Sequence, residues 1–460
     1  MTDADLAFLP AVDAIAAIAA GRLSAVAWTA AAQERIRHCD PPLHAFIHLD
    51  EANARVEALR RDRAREAGHA LLPLEGVPVA VKDVIDVAGM RTTLGASANA
   101  HLPAAVRDAQ AVQRMRDAGC IVLGKTNTPP YAAFPSTTSR LAGTTLNPWN
   151  LAFGSGGSSG GSAVAVATGM CALALGTDLG GSVRGPAAWN GVFGIRPTAG
   201  RVPADRSSWV DDTMDVVGAF ARSPRDLRAW LATVEDYRDR DVDGLPRPDR
   251  LRIAYTCDLA GAMTVSSSVR ACFDRAMQDL GAAGLTLRQR SPRVDTALAA
   301  IRPLRALRAL ASMPDVTDDV LALDNPPLAQ FMQWARTLSL ADIAAAAKLR
   351  TQSWRDNEDF FVESDLLLLP ACQYVGMRRD DVAPPVIDGT ALPDTLSAWY
   401  ATYAITLLGW PAVVVPIGLA AEGLPVGIQV VAPRHAEQRA LAFATFLEME
   451  LGWRALRPPL

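Results

Sequence analysis

Two glycine-rich stretches decide the fold: GGSSGGSA at residues 156–163 and LGTDLGGSVRGPA at residues 175–187. A run of glycine and serine is typical of a flexible linker. Here small apolar residues follow at once, at 163–175, so we expect the first stretch to lie within the core. An apolar strand is predicted to end near Gly176, and a helix to begin at Ser182.

Strand and helix patterns alternate on the N-terminal side of these stretches. A β-branched apolar run at 76–81 leads directly to Lys82, a helix is predicted at 108–118, and an apolar strand follows at 120–123. Strand, helix and strand in succession indicate a parallel α/β sheet. Further upstream, helices are predicted at 11–37, with a break near Gly21, and at 51–68.

On the C-terminal side, residues 225–360 are mostly helical in pattern, charged and without motifs. Strands are predicted at 365–370, 412–416 and 426–431, and a final helix at about 436–450. We expect one α/β domain over residues 1–460, with a mixed, largely parallel sheet surrounded by helices. The region 225–360 is expected to be variable and to contribute to the substrate entrance.

Composition excludes several classes of protein. Of 460 residues, 50% are hydrophobic, which suffices for a large core, and the net charge is −4. A nucleic-acid-binding protein would carry a basic patch, and no run approaches the ~18 apolar residues of a membrane helix. The first residues are acidic, unlike a signal peptide. We therefore expect a cytoplasmic protein without nucleic-acid or membrane partners.

Cysteine and histidine do not indicate a metal site. The six cysteines form no CxxC pair, and the six histidines show no HExxH spacing. We expect reduced, mostly buried thiols, and no metal or organic cofactor.

Lysine is rare in this chain: of 45 basic residues, only Lys82, Lys125 and Lys348 are lysines. A buried lysine can lose its proton, whereas arginine effectively cannot. A serine hydroxyl becomes a good nucleophile only when a base takes its proton. Lys82 ends an apolar strand, where burial would lower its pKa from ~10.4 toward neutrality.

A second interpretation starts from residues 156–160, which fit the G-x-S-x-G pattern of a nucleophile elbow around Ser158. That site requires a strand before the serine and a catalytic histidine after it. Residues 147–153 do not have a strand pattern, and the candidate histidine, His435, begins a charged helix. Residues 180–184 suit an oxyanion site of backbone N–H groups, or else a tight turn with a serine cap.

Together these segments resemble the amidase signature family. The resemblance rests on 156–163, 175–187 and GVFGIRPT at 191–198, and spans roughly residues 70–220 and 365–450. Three further segments are similar to the family: GVPVAVKD at 76–83, GKTN at 124–127 and GLPVGIQ at 423–429.

The resemblance implies a role for each matching residue. Lys82 corresponds to the catalytic base, Ser158 to a relay serine preceded by a cis peptide bond, and Ser182 to the acylated nucleophile. Backbone groups of Leu179, Gly180, Gly181 and Ser182 correspond to the oxyanion hole. Ser159 and Asp178 are expected to support the site by hydrogen bonds, whereas Lys125 is expected to be structural.

The substrate pocket is expected near Tyr131, Ala132, Ala133 and Phe134, with Trp209 also near the site. Tyr131 and Phe134 are three residues apart, so on a helical turn they would share one face, which could line the pocket or equally pack in the core. We expect an apolar pocket that favours aryl or alkyl amides, with carbamates or esters as further substrates. An inward-pointing Arg140, Arg201 or Arg206 would instead select an anionic substrate.

Three functional hypotheses remain open: a stand-alone amidase, in which a homodimer is possible, the catalytic subunit of a glutamine-dependent amidotransferase, and an inactive binding protein. Residues 128–131 depart from the pattern of amidotransferase subunits, and residues 152–155 depart from the pattern of many family members. Both departures weaken the second hypothesis. Intact Lys82, Ser158 and Ser182 argue against the third.

Overall fold

The computed structural model describes residues 3–205, 212–236, 247–313, 315–379, 381, 386–452 and 457–459. Its strands are β1 Phe46–Leu49, β2 Pro78–Lys82, β3 Ile121–Thr126, β4 Thr138–Ser139, β5 Gly143–Thr144, β6 Leu146–Asn147, β7 Asn150–Gly154, β8 Leu173–Asp178, β9 Phe193–Arg196, β10 Val216–Ala221, β11 Ile253–Tyr255, β12 Leu287–Gln289, β13 Leu366–Pro370, β14 Val386–Ile387, β15 Thr390–Ala391, β16 Ala412–Leu419 and β17 Pro425–Val431.

The α-helices over the same ranges are α1 Asp3–Ala7, α2 Ala11–Ala19, α3 Ala25–Leu43, α4 Glu51–Glu66, α5 Gln110–Asp117, α6 Gly160–Ala167, α7 Arg184–Asn190, α8 Pro224–Val234, α9 Ser267–Ala282, α10 Ala297–Ser312, α11 Asp318–Asp324, α12 Pro326–Ala335, α13 Leu340–Arg355, α14 Phe360–Glu363, α15 Tyr400–Leu408 and α16 Glu437–Leu451.

Eleven strands form one sheet in the order β1-β3-β2-β8-β10-β9-β16-β17-β13-β11-β12. The predicted mixed α/β sheet surrounded by helices is confirmed. The strands β3, β2 and β8 pair in parallel, and so do β13, β11 and β12. All other pairings are antiparallel, so the expected parallel character holds in these two groups and not across the middle of the sheet.

Helices cover both faces of the sheet, because alternate side chains of its buried strands enter two different cores. On β13, Leu366 and Leu368 pack in one core, whereas Leu367 and Leu369 pack in the other. The strands therefore have continuous apolar sequences, as strands buried on both faces require.

Several element boundaries differ from the sequence-based expectations for identifiable reasons. The break near Gly21 is confirmed, since this glycine has φ +67° between α2 and α3. The second helix of the glycine-rich region begins at Arg184 and not at Ser182. Two strands of three residues, β11 and β12, lie within the region expected to be helical, because such short runs carry little periodicity.

No helix among the described residues is long and apolar enough to cross a membrane. All six cysteines are unpaired, and all but Cys257 are buried.

Candidate functional site

A cavity of about 810 Å³ lies where the parallel strands β2 and β8 end. Lys82 is the last residue of β2, Ser158 precedes α6, and Ser182 lies between β8 and α7. Ser158 and Ser182 both line the cavity wall. The carboxyl ends of parallel strands and the starts of the following helices thus bring together residues that are far apart in sequence.

The glycine-rich loop is folded into the core, as expected, and leaves no space for side chains. A Cβ at Gly161 would lie 2.4 Å from the carbonyl oxygen of Ala45, and one at Gly157 would lie 2.7 Å from that of Phe134. The Gly157–Ser158 peptide bond is cis, as the family resemblance implies. Close backbone contact, and not flexibility, therefore explains the glycines.

Lys82 is completely buried and its amine donates two hydrogen bonds to hydroxyl groups. The Nζ atom lies 2.7 Å from Ser158 Oγ and 2.9 Å from Thr177 Oγ1. Burial lowers the pKa of Lys82 to about 7, although the charges of Asp215 and Asp178 oppose the shift. The amine is therefore partly neutral near pH 7 and able to accept a proton.

Lys125 is equally buried but has a different environment. Its Nζ forms an ion pair with Asp83 Oδ1 at 3.0 Å and donates to Thr92 Oγ1 at 2.8 Å. The pair ties the end of β3 to the segment after β2. This geometry agrees with the structural role expected for Lys125.

Ser182 is half-buried on the cavity wall, and its Oγ makes no hydrogen bond to any described residue. The backbone N–H of Ser159 donates to the carbonyl of Ser182 over 3.2 Å, which joins the two glycine-rich segments. The hydroxyls of Ser158 and Ser182 are not hydrogen-bonded to each other. Hydrogen bonds between catalytic groups are often longer than usual in the absence of substrate and shorten when it binds.

The backbone N–H groups around Ser182 differ in whether they are already hydrogen-bonded within the protein. The N–H of Gly181 donates to Asp178 Oδ1 over 2.9 Å, so it is already engaged. Those of Leu179, Gly180 and Ser182 donate to no described residue. Three of the four residues expected to form an oxyanion hole thus have free donors, and Gly181 does not.

Asp178 anchors this turn through a buried charge network. Its carboxylate accepts from Arg184 Nη2 at 2.8 Å and lies 3.7 Å from Arg196 Nε. Burial alone would raise the pKa of Asp178, but Arg184 and Arg196 outweigh it and hold that pKa well below its ordinary value. Ser159 supports the turn from the other side, since the Thr177 N–H donates to its Oγ over 3.3 Å.

The predicted pocket residues are found at the cavity, but not on a helical turn. Tyr131, Ala132, Ala133 and Phe134 all line the wall. Tyr131 and Ala132 have φ values of +58° and +55°, so this segment is an irregular loop. The neighbouring apolar wall comes from Met313, Leu328, Phe331, Trp334 and Trp399.

Two of the arginines considered for anion recognition do not line the cavity. Arg140 is largely exposed and donates to the Leu323 carbonyl, and Arg201 is buried in ion pairs with Glu235 and Glu437. Arg206 lies outside the described residues, as does Trp209. The arginines that do line the cavity are Arg302, Arg305 and Arg308.

The nucleophile-elbow interpretation fits the structure poorly. Contrary to expectation, a strand does precede Ser158, but this strand, β7, pairs with β6 outside the main sheet and ends at Gly154. His435 is exposed at the start of α16 and does not line the cavity.

Comparison with known proteins identifies the family. A sequence model of the amidase family matches residues 27–441. The chain belongs to the amidase signature family. It is therefore an amidase, a hydrolase that acts on carbon–nitrogen bonds.

Relatives and solved structures span nearly the whole amidase. It is 33% identical to a putative amidase of Mycobacterium bovis, over 100% of this chain and 99% of the relative. It is 34% identical to a glutamyl-tRNA(Gln) amidotransferase subunit of Deinococcus deserti, over 88% of this chain and 89% of the relative. The crystal structure of a bacterial aryl acylamidase of the family superposes with a TM-score of 0.89, at 26% identity over 97% of both chains.

Sequence reasoning missed several residues of this amidase's site. Thr177 accepts a hydrogen bond from Lys82, although its place beside Asp178 in the signature could have suggested a role. Asp215 and Arg308 also line the cavity and act on Lys82 through their charges. No motif marks them, because they come from the end of one loop and from a helix of the region 225–360.

Proposed function

We propose that this amidase hydrolyses small aryl or alkyl amides through an acyl-enzyme on Ser182. The observation that carries the proposal is the 2.7 Å hydrogen bond from Lys82 to Ser158, a residue that lines the same cavity as Ser182. Lys82 has a pKa of about 7 and no ion-pair partner among the described residues, so it can exchange a proton at neutral pH.

The first half-reaction transfers one proton along the three residues. Ser182 Oγ attacks the amide carbonyl carbon while its proton passes to Ser158 Oγ, whose own proton passes to Lys82 Nζ. The carbon–nitrogen bond then breaks, the acyl group stays on Ser182 Oγ, and the leaving amine takes the proton from Lys82 through Ser158. The N–H groups of Leu179, Gly180 and Ser182, which donate to no described residue, stabilise the negative oxygen in this proposal.

The second half-reaction repeats this path with water. Water loses a proton through Ser158 to Lys82 and attacks the acyl carbon, after which the proton returns to Ser182 as the acid leaves. Carbamates and esters present the same carbonyl chemistry, so they are candidate substrates as well. No step requires a metal or an organic cofactor.

The proposed preference for aryl or alkyl amides is supported by the aromatic side chains of the cavity wall and by one structurally similar enzyme. Tyr131, Phe134 and Trp399 present aromatic surface to the space beside Ser182. An aryl acylamidase superposes over 97% of the chain. Residues of α10 and α12 also line the cavity, which supports a contribution of the helical region to the substrate entrance.

A second candidate is the catalytic component of an ammonia-transferring assembly. It is favoured by 34% identity to the amidotransferase subunit of Deinococcus deserti. It predicts glutaminase activity that depends on partner subunits. The stand-alone amidase predicts activity of the purified chain alone, as a monomer or a homodimer, which size-exclusion chromatography distinguishes.

The deciding experiment is a turnover panel on the purified chain. Acetanilide, butyramide, an aryl carbamate, an aryl ester and glutamine are compared for wild type and Ser182→Ala. The proposal predicts amide hydrolysis by the wild type and none by the variant. The second candidate would be favoured if glutamine were the only compound hydrolysed, or if hydrolysis required an added partner subunit.

A further inference from the structure

One face of α10 presents three arginines to the active-site cavity. Arg302, Arg305 and Arg308 are spaced three residues apart, and all three line the wall together with Ala309 and Ser312. Residues at this spacing lie on the same side of a helix. This cationic row therefore faces the space in which the substrate binds.

Two of the three guanidinium groups have carboxylate partners within the protein. Arg302 pairs with Asp394, and Arg308 bridges Asp212, at 2.7 Å, and Asp215. Their charges are neutralised in place. The remaining acids on the wall, Asp86 and Asp205, lie next to the start of α5, where Asp205 accepts from the N–H of Gln110.

Arg305 has no carboxylate partner among the described residues. Its guanidinium instead lies over the ring of Phe331, with Cζ 4.6 Å from the ring centroid. A cation held on an aromatic face keeps its N–H donors free and loses less side-chain freedom when a ligand binds. The α10 face thus contains one pre-positioned cation whose donors make no hydrogen bond to a described residue.

Arg305 lines the same cavity as Leu179, Gly180 and Ser182, and the ring of Tyr403 lines it as well. A Cβ at Gly180 would lie 2.3 Å from the Tyr403 ring, so this ring packs directly against Gly180. Burial raises the pKa of Tyr403, and the nearby charge of Arg305 opposes that shift. Tyr403 is therefore close both to the charge of Arg305 and to Gly180, next to Ser182.

We propose that Arg305 binds a carboxylate of the substrate, so that the preferred substrates are amides with an apolar body and one anionic end. A planar guanidinium matches a carboxylate with two parallel hydrogen bonds. The inference rests on the proposed function for the scissile amide. It replaces the expected preference for uncharged amides with one for amides that have an apolar body and a carboxylate. Arg305, the one arginine of this α10 row without a carboxylate partner among the described residues, is the anchor for that carboxylate.

The test uses two matched pairs of ligands that differ in charge but hardly in shape. On the acyl side, glutaranilic acid is compared with 5-oxohexananilide; on the amine side, N-butyryl-4-aminobenzoate is compared with N-butyryl-4-aminoacetophenone. Each methyl ketone is the neutral isostere of its carboxylate. Binding is measured by calorimetry on Ser182→Ala, alone and combined with Arg305→Met, so that it does not depend on turnover.

We expect the carboxylate of at least one pair to bind about tenfold or more tightly than its ketone, as charge-assisted pairing implies. Arg305→Met should remove this preference and leave ketone binding within about threefold, and Arg305→Lys should restore part of it. The control is Arg355→Met, which removes one exposed charge at the end of α13 and should change neither ligand.

Equal binding of carboxylate and ketone in both pairs, or a preference that survives Arg305→Met, would overturn the inference. Turnover by the wild type is measured in parallel with the same four amides. If the carboxylates bind through Arg305 and no amide is hydrolysed, the proposed function fails and the binding site stands. If the wild type hydrolyses all four amides but the carboxylates bind no better than the ketones, the proposed function stands and the role of Arg305 fails.

Discussion

The amine of Lys82 lies 2.7 Å from the hydroxyl of Ser158, which lines the same cavity as Ser182. The second buried lysine, Lys125, differs because Asp83 neutralises it. Among the described residues Lys82 is hydrogen-bonded to hydroxyl groups and to no carboxylate, so burial favours its neutral form. This difference in partners distinguishes the two lysines chemically.

Activity should rise with pH around the pKa of Lys82. The neutral amine is the active base and burial lowers its pKa to about 7, so kcat/KM should increase through pH 7 and level off above it. Lys82→Met should lose about 10²–10⁴-fold in kcat/KM and lack this acidic limb. Lys348→Met, an exposed change on α13, is the control. A limb that persists in Lys82→Met and disappears in His435→Asn would contradict the mechanism.

Asp215→Asn should move the acidic limb to lower pH. The negative charge of Asp215 raises the pKa of Lys82, so its removal lowers that pKa and increases the neutral fraction below pH 7. Arg308 remains anchored by Asp212. The readout is the midpoint of the pH profile, with Asp205→Asn as a control on the same cavity wall. An unmoved or raised midpoint would show that Asp215 does not act on the lysine.

Asp178→Asn should destabilise the fold strongly. The substitution leaves the buried guanidinium groups of Arg184 and Arg196 without their counter-charge, a loss of about 3–5 kcal/mol for buried pairs. The free energy of unfolding is measured by urea titration. Arg60→Met breaks an exposed pair with Glu57 and should change little. If both variants unfolded with a similar free energy and at a similar urea concentration, the anchoring role of Asp178 would be refuted.

The aromatic wall should favour bulky acyl groups. Apolar burial contributes about 25 cal/mol per Å², so a phenyl group can gain roughly 2 kcal/mol, or more than tenfold in kcat/KM. We compare 4-phenylbutyramide with butyramide, because both release ammonia and differ only in the acyl group. Phe134→Ala should reduce the preference. Equal rates for the two amides would mean that the acyl group does not contact this wall.

Much of the fold could be predicted because its strands are continuous apolar runs bounded by glycine or proline. The strands β2, β8, β13, β16 and β17 and the break near Gly21 have such signals. Ser158 and Ser182 could be predicted because they lie in glycine-rich segments that tolerate no side chains and that resemble a known family. Lys82 could be predicted because lysine is rare in this chain and this lysine ends an apolar strand in a segment similar to the same family. Local sequence thus identifies residues whose backbone environment is tightly constrained.

The features of the fold and of the site that could not be predicted depend on contacts between segments that are distant in sequence. The antiparallel middle of the sheet arises from pairings of β10 with β8 and of β16 with β9, which no local pattern specifies. The engagement of the Gly181 N–H by Asp178 depends on the course of one turn. Arg302, Arg305 and Arg308 have the spacing of any solvated helix face, and only the packing of α10 brings them to the cavity.

Acylation of Ser182 tests the central claim most directly. Ser182→Ala should retain the fold, because this hydroxyl has no partner among the described residues, and should abolish turnover. Wild type treated with a fluorophosphonate should gain the mass of one adduct, which peptide mapping places on Ser182, and Ser182→Ala should gain none. An adduct on Ser158, or full activity of Ser182→Ala, would contradict the account.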